Sequence, residues 1–254
     1  MQIDWAVPGE LLDSAPMAHR GEWSAIRGRM SRDGYVYLRG ALDRAAVLEA
    51  GFSVATFVDE QQLCQERGIT LTGLKEATHS APMARVLEGE SLRRIFDALF
   101  DERSETLDTK WVRVVGEEEQ TSVHSDAFFF HAVACAVPAA SPRLLVCWTP
   151  LEDVPRSGGP LAICAASHLL ADFDVGGVAA AACSGGAAVE LPAGFAAQAR
   201  SAEWRTADFR AGDVLVFDIR TIHGSLRGRR RQRRISVDTR WYAAARPPAP
   251  LYSK

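Results

Sequence analysis

The sequence predicts an α+β fold in which N-terminal helices precede an antiparallel β barrel or sandwich. Two observations carry this. Up to about residue 105, apolar residues recur at the three-to-four spacing of helices. Beyond it, short β-branched or aromatic runs are bounded by Gly, Pro and Asp. Helices first and many short strands afterwards are the pattern of such layered folds. In order along the chain, "DGYVYLRGAL" (33–42) reads as a turn and a strand from Tyr35 to Arg39, ended by a glycine. From Asp43 to about Arg67, Val47, Leu48, Phe52, Ala55 and Val58 mark a helical face. Residues 74–88 continue helical with weak periodicity, and 91–101 place Leu92, Ile95, Phe96 and Leu99 on one side. The strands follow: "KWVRVV" (110–115), "PRLLVCWTPL" (142–151), "GPLAIC" (159–164), "DVLVFD" (213–218) and "RRISVDTRWY" (233–242). Between them, residues 169–205 are rich in Ala and Gly without periodicity, the mark of a functional lid or an insertion. No internal repeat or clean boundary divides the chain. The expectation is one domain over 1–254, helical to about 105 and β-rich over about 106–245.

Composition narrows the function classes. With 254 residues, 47% hydrophobic and 24% charged, the chain suits a globular protein with a sizeable core. A net charge of −3 argues against a general binder of nucleic acid or of membrane surfaces. The five cysteines (Cys64, Cys135, Cys147, Cys164, Cys183) are odd in number and scattered, which suggests free thiols in a reducing compartment. The N-terminus lacks a basic stretch leading into an apolar one, and no run approaches a membrane span. A soluble, cytoplasmic protein is expected.

The chemistry concentrates in "TSVHSDAFFFH" (121–131). Two histidines and one carboxylate on one face of an octahedron, leaving the opposite positions open, are the signature of a non-haem Fe(II) oxygenase. His124 and Asp126 suit two of those places, because residues i and i+2 of a strand project from the same side. The third ligand should be a histidine far along the chain on a neighbouring strand. His19 and His79 lie in the helical third, His131 follows the phenylalanines, and His168 stands at the mouth of the long loop. His223 instead follows the strand-like "AGDVLVFDIRTI". Alone, it would more often be an ordinary core or turn histidine.

Five pieces in order change that reading: "HSD" (124–126), "CWTPLEDV" (147–154), "GPLAICAASH" (159–168), "GDVLVF" (212–217), and His223 followed eleven positions on by Arg234-Ile235-Ser236. Over about 110–242 the chain resembles the phytanoyl-CoA dioxygenase-like branch of the Fe(II)/2-oxoglutarate-dependent dioxygenases, and "DGYVYLRGAL" resembles that family's N-terminal strand. It departs in carrying Ala165-Ala166 where Pro-Gly commonly precedes Ser-His, and in a longer stretch between Asp126 and Trp148.

The resemblance implies a double-stranded β-helix (jelly-roll, cupin-like) core with the N-terminal helices packed on it, Fe(II) held by His124, Asp126 and His223, and 2-oxoglutarate and O2 as co-substrates. Arg234 would hold the far carboxylate of 2-oxoglutarate, since a planar guanidinium gives it two charge-assisted hydrogen bonds. Ser236, two along the same face, would add a hydroxyl, Trp148 would lie near the co-substrate, and Ser125 would contribute between the ligands. Asp238 and Arg240 continue that polar face, opposite Ile235, Val237, Thr239 and Trp241. Arg240 is six residues, roughly 20 Å, beyond Arg234, so only one of them can serve the co-substrate. Arg240 is left as a substrate contact. Relatives that halogenate carry Gly or Ala at the carboxylate position; Asp126 implies hydroxylation instead. If the strand runs on past Asp126, Phe128 and Phe130 form an apolar wall for substrate beside the iron, although such runs are as often plain core.

The arginine-rich "LRGRRRQRR" (226–234) invites a nucleic-acid reading, but the negative overall charge and the lack of interleaved aromatic residues oppose it. It reads as a solvated hairpin loop joining the His223 and Arg234 strands, or one that meets an anionic substrate. The expected function is oxygenation of an unactivated C–H bond in a small or lipid-like molecule, as in specialised-metabolite biosynthesis. The rivals are a non-catalytic cupin-like binding protein and a zinc hydrolase; the latter lacks an evident general base. No protein partner and no oligomeric state can be read from the sequence.

Overall fold

The computed structural model describes residues 8–63, 69–116, 120–127, 144–170, 202–228 and 233–248. Two β-sheets face one another. The larger has the order β2 (Tyr35–Leu38), β9 (Val214–Asp218), β6 (Leu145–Pro150), β11 (Arg234–Ala243), β5 (Trp111–Val115), β3 (Ile69–Thr70), with β4 (Ser104–Thr106) pairing the far end of β11. All of these pairings are antiparallel. The smaller sheet runs β1 (Gly9–Glu10), β8 (Trp204–Thr206), β7 (Leu161–Cys164), β10 (His223–Ser225). This is the expected jelly-roll-like core with helices on one side.

Alternation along each strand sorts residues between two apolar layers. Val36, Leu38, Val112, Val114, Leu145, Cys147, Val214, Val216, Val237 and Trp241 face outward into the helices. Tyr35, Tyr37, Val146, Trp148, Leu215 and Phe217 face inward, toward Leu161 and Ile163 of the smaller sheet. Because both faces of the larger sheet are covered, its central strands read as unbroken apolar runs. β11 is the exception: its inward positions are Arg234, Ser236, Asp238 and Arg240, all buried.

The helices are α1 (Ala15–His19), α2 (Trp23–Asp33), α3 (Arg44–Glu60), α4 (Lys75–Thr78), α5 (Ala81–Leu87) and α6 (Glu90–Phe100). Asp43 caps α3, its carboxylate accepting from the N–H groups of Ala45 (3.3 Å) and Ala46 (3.2 Å). α6 buries the four predicted residues, and Phe96 stacks on Trp241 at 4.4 Å.

Several expectations are corrected. α3 buries Val47, Ala50, Gly51, Val54 and Val58, whereas Leu48 and Phe52 are exposed. The reason is Gly51: a Cβ there would stand 2.4 Å from the Leu151 carbonyl oxygen, so the helix approaches along its smallest residues. The stretch 74–88 is two helices, because Pro82 in a first turn starts a helix rather than continuing one. α1, α2 and the strands β1, β3, β4, β8 and β10 are too short or too polar to show in the pattern. The His223 and Arg234 strands do not form a hairpin: β10 belongs to the smaller sheet and β11 to the larger. The Ala/Gly-rich stretch read as a lid lies almost wholly outside the described residues. Cys147 and Cys164 are buried free thiols, as the apolar strands suggested. Among the described residues no helix is long and apolar enough to cross a membrane.

Candidate metal centre

The site lies between the sheets. His223 begins β10 at the edge of the smaller sheet, and His124 bridges to it in antiparallel register, each backbone N–H donating to the other's carbonyl at 2.9 and 2.8 Å. The rings therefore stand side by side, centroids 4.2 Å apart. His124 Nδ1 lies 2.7 Å from the Ser122 carbonyl oxygen, and His223 Nδ1 lies 3.0 Å from that of Thr221. A carbonyl can only accept, so both Nδ1 atoms carry the proton and both Nε2 lone pairs are left for a metal.

Asp126 supplies the third donor by a route the strand argument missed. The extended segment stops after His124, and Asp126 and Ala127 start a helical turn. The Ile219 carbonyl holds that turn, accepting from the Ala127 N–H (3.0 Å) and the Ser125 hydroxyl (3.1 Å). Ser125 thus braces the ligand loop, and Asp126 swings toward the histidines. Its Oδ1 stands 3.4 Å from His124 Nε2 and 3.9 Å from His223 Nε2. One donor atom from each residue falls within a 4.8 Å span. Donors about 2.1 Å from a shared ion are roughly 3–3.5 Å apart when adjacent, so a small inward movement completes the site.

Burial, and secondarily His124, press the His223 imidazole down to about 4, so it is neutral near pH 7. Burial alone would raise the Asp126 carboxyl, but Arg240 and the two histidines outweigh it and hold it well below its usual range. Arg240 Nη2 donates to Asp126 Oδ2 at 2.5 Å, and its guanidinium carbon lies 3.8 Å from the Trp111 ring centroid.

Further along the interior face of β11, Asp238 accepts from Arg113 at 3.0 Å. Arg234 is different. It is buried, and among the described residues no carboxylate pairs with it. Its Nη1 donates to the Gly159 carbonyl at 3.0 Å, and its charge stands 5.8 Å from the Trp148 ring centroid. Its Nε and the Ser236 hydroxyl are buried without a hydrogen-bond partner among the described residues. Burial lowers its pKa to about 10, still charged at neutral pH. Holding a charge out of water costs roughly several kcal/mol; the Gly159 carbonyl, the Trp148 face and the longer-range charges of Asp238 and Glu152 offset part of that.

The structure thus brings together His124, Asp126 and His223, and separately Arg234, Ser236 and Trp148. Phe128 and Phe130 lie outside the described residues. Sequence reasoning missed Arg113, Trp111 and the pairing of Arg240. The inward alternation of Trp111 and Arg113 in "KWVRVV" was the available signal.

A family profile described as phytanoyl-CoA dioxygenase (PhyH) matches residues 30–236. No curated protein sequence matches significantly. Solved structures share the fold. The epimerase SnoN in complex with Fe3+, α-ketoglutarate and nogalamycin RO superposes with TM-score 0.65 at 22% identity, over 91% of this chain and 88% of that one. EctD from S. alaskensis superposes at 0.64 and 16% identity, over 99% and 86%. AviO1 from Streptomyces viridochromogenes Tue57 superposes at 0.64 and 18% identity, over 89% and 97%. The chain belongs to the phytanoyl-CoA dioxygenase family and is an enzyme of the dioxygenase type.

Proposed function

We propose that this member of the phytanoyl-CoA dioxygenase family hydroxylates an unactivated C–H bond of a small or lipid-like organic molecule, using Fe(II), 2-oxoglutarate and O2. The observation that carries the reading is the pair of features facing one interior: two Nε2 atoms and one carboxylate oxygen converging, and a buried arginine that forms no ion pair among the described residues. The donors suit iron, since imidazole and carboxylate are its ligands in open three-residue sites. The orphaned Arg234 Nε and Ser236 hydroxyl suit a carboxylate that accepts from both. Iron with 2-oxoglutarate supplies the oxidising power, consuming O2 and releasing succinate and CO2.

The chain's own residues do the rest. His124, Asp126 and His223 hold the ion and leave its other positions open. Arg234 and Ser236 fix the distal carboxylate, with Trp148 beside the guanidinium. Val146, Trp148, Leu215 and Phe217 form the apolar interior wall, which excludes water from an oxidising centre. SnoN and EctD are solved with 2-oxoglutarate or its synonym α-ketoglutarate, which supports the same co-substrate here. SnoN comes from nogalamycin biosynthesis, which supports a tailoring role in specialised metabolism. A cytoplasmic location and a small-molecule substrate, with no nucleic acid or membrane, complete the proposal.

The test is succinate formation from 2-oxoglutarate under O2 with Fe(II), alongside a search for products 16 mass units heavier than candidate substrates. Wild type should form succinate, and Asp126→Ala should lose at least a hundredfold of that rate. Equal rates in both would refute the assignment, as would a wild-type protein that makes none.

A further inference from the structure

Arg240 and Trp111 are not among the ligands, yet they fix what the carboxylate ligand can do. The two oxygens of Asp126 face different partners: Oδ1 toward both histidine Nε2 atoms, Oδ2 toward Arg240 at 2.5 Å. Both side chains of that pair are buried. Arg240 is itself braced, its guanidinium lying against Trp111 on β5, the strand beside its own. A cation over an aromatic face at this distance is attracted by the ring. The contacts Trp111–Arg240–Asp126 therefore link the sheet to the candidate metal position.

We propose that Arg240 is a positioning residue that restricts Asp126 to single-oxygen ligation, so the metal keeps three open positions for a chelating co-substrate and O2. This rests on the function proposed above. A carboxylate free to turn could offer both oxygens and fill one of those positions. With Oδ2 held by the guanidinium, only Oδ1 remains. The alternative role for Arg240, gripping 2-oxoglutarate, conflicts with its engagement at Asp126 and with its distance along the strand from Ser236 and Arg234.

The readout is Co(II) binding to the metal-free protein without O2, followed by the visible d–d bands. Partners behind a metal ligand typically change affinity by about ten- to a hundredfold when removed. Arg240→Gln should weaken Co(II) binding at least tenfold and change the band shape, because a neutral amide neither holds nor orients the carboxylate. Arg240→Lys should recover most of the affinity, since an ammonium can still hold Oδ2. In an Asp126→Ala background, Arg240→Gln should change Co(II) affinity by less than twofold. Equal losses in the two backgrounds, or no loss with Arg240→Gln, would overturn the proposal and show a merely structural arginine. If Asp126→Ala and His223→Ala leave Co(II) binding unchanged, the ligand assignment itself fails, which is a distinct outcome. Thermal melts of each variant separate misfolding from loss of the site: Arg240→Lys, melting as wild type, must bind Co(II) more tightly than Arg240→Gln or the proposal falls.

Discussion

The chemistry rests on a few protons and charges at fixed atoms. His124 and His223 present Nε2 because a carbonyl two residues upstream takes Nδ1–H in both cases. These residues were legible in the sequence because metal ligation needs particular side chains at particular intervals, and His-x-Asp with a distal His supplies them. The bracing carbonyls of Ser122, Thr221 and Ile219 were not legible, since any residue type offers the same carbonyl. Nor was the pairing of Asp126 with Arg240, which lies across 114 positions of chain. Burial of His223 has a measurable consequence. Its folded pKa, about 4, lies below the usual 6.5, so the unfolded chain binds a proton there first as pH falls. The associated stability is fully present above pH 6.5 and is lost as pH drops toward 4. Urea melts of the metal-free protein should therefore show a loss on the order of 2 kcal/mol between pH 7 and pH 5 from this residue. In His223→Gln that pH sensitivity should shrink by a similar amount; an unchanged difference would mean the imidazole is not buried neutral.

Elements were read well where burial made the pattern strong and poorly where one atom decided the packing. The central strands β5, β6, β7, β9 and β11 appear where their apolar runs place them. The face of α3 was misjudged, because size rather than hydrophobicity chose it: Gly51 lies against the Leu151 carbonyl, and Phe52 is 75% exposed. Two substitutions separate these accounts. Gly51→Ala gains about 0.5–1 kcal/mol of helix propensity, but its methyl group would meet a backbone oxygen that cannot swing away. The clash should win, with a net loss of about 1–3 kcal/mol in a denaturant melt. Phe52→Gln should stay within about 0.5 kcal/mol of wild type, as exposed positions do. A large loss there with a neutral Gly51→Ala would reverse the assigned face. The turn at Asp126 carries a related lesson, since a strand continuing in register would have needed no help from Ser125.

At the scale of the molecule, the described residues between the two sheets pair Asp126 with Arg240 and Asp238 with Arg113, while the buried Arg234 forms no ion pair among them. Only the longer-range charges of Asp238 and Glu152 offset that buried cation. A bound dicarboxylate would offset more of the cost, so on the proposed function folding and co-substrate binding should be linked. At a concentration a hundred times its Kd, a ligand stabilises by about 2.7 kcal/mol, roughly 5–10 °C in Tm for a chain of this size. With Zn2+ in the metal position, 2-oxoglutarate should raise Tm by that order. Arg234→Met should lose the rise while melting, ligand-free, at or above wild type. A ligand-free Arg234→Met protein that melts far lower would assign Arg234 to the fold instead. The central claim, that one interior holds both iron through His124, Asp126 and His223 and 2-oxoglutarate through Arg234, has a direct spectroscopic test. Fe(II) and then 2-oxoglutarate are added without O2, and the weak visible charge-transfer band of the chelate is titrated. The account predicts a saturable band in wild type, none in His223→Ala, and in Arg234→Ala a band needing at least tenfold more 2-oxoglutarate, about 1.4 kcal/mol. A band that survives His223→Ala unchanged, or an Arg234→Ala titration that overlays wild type, would contradict it.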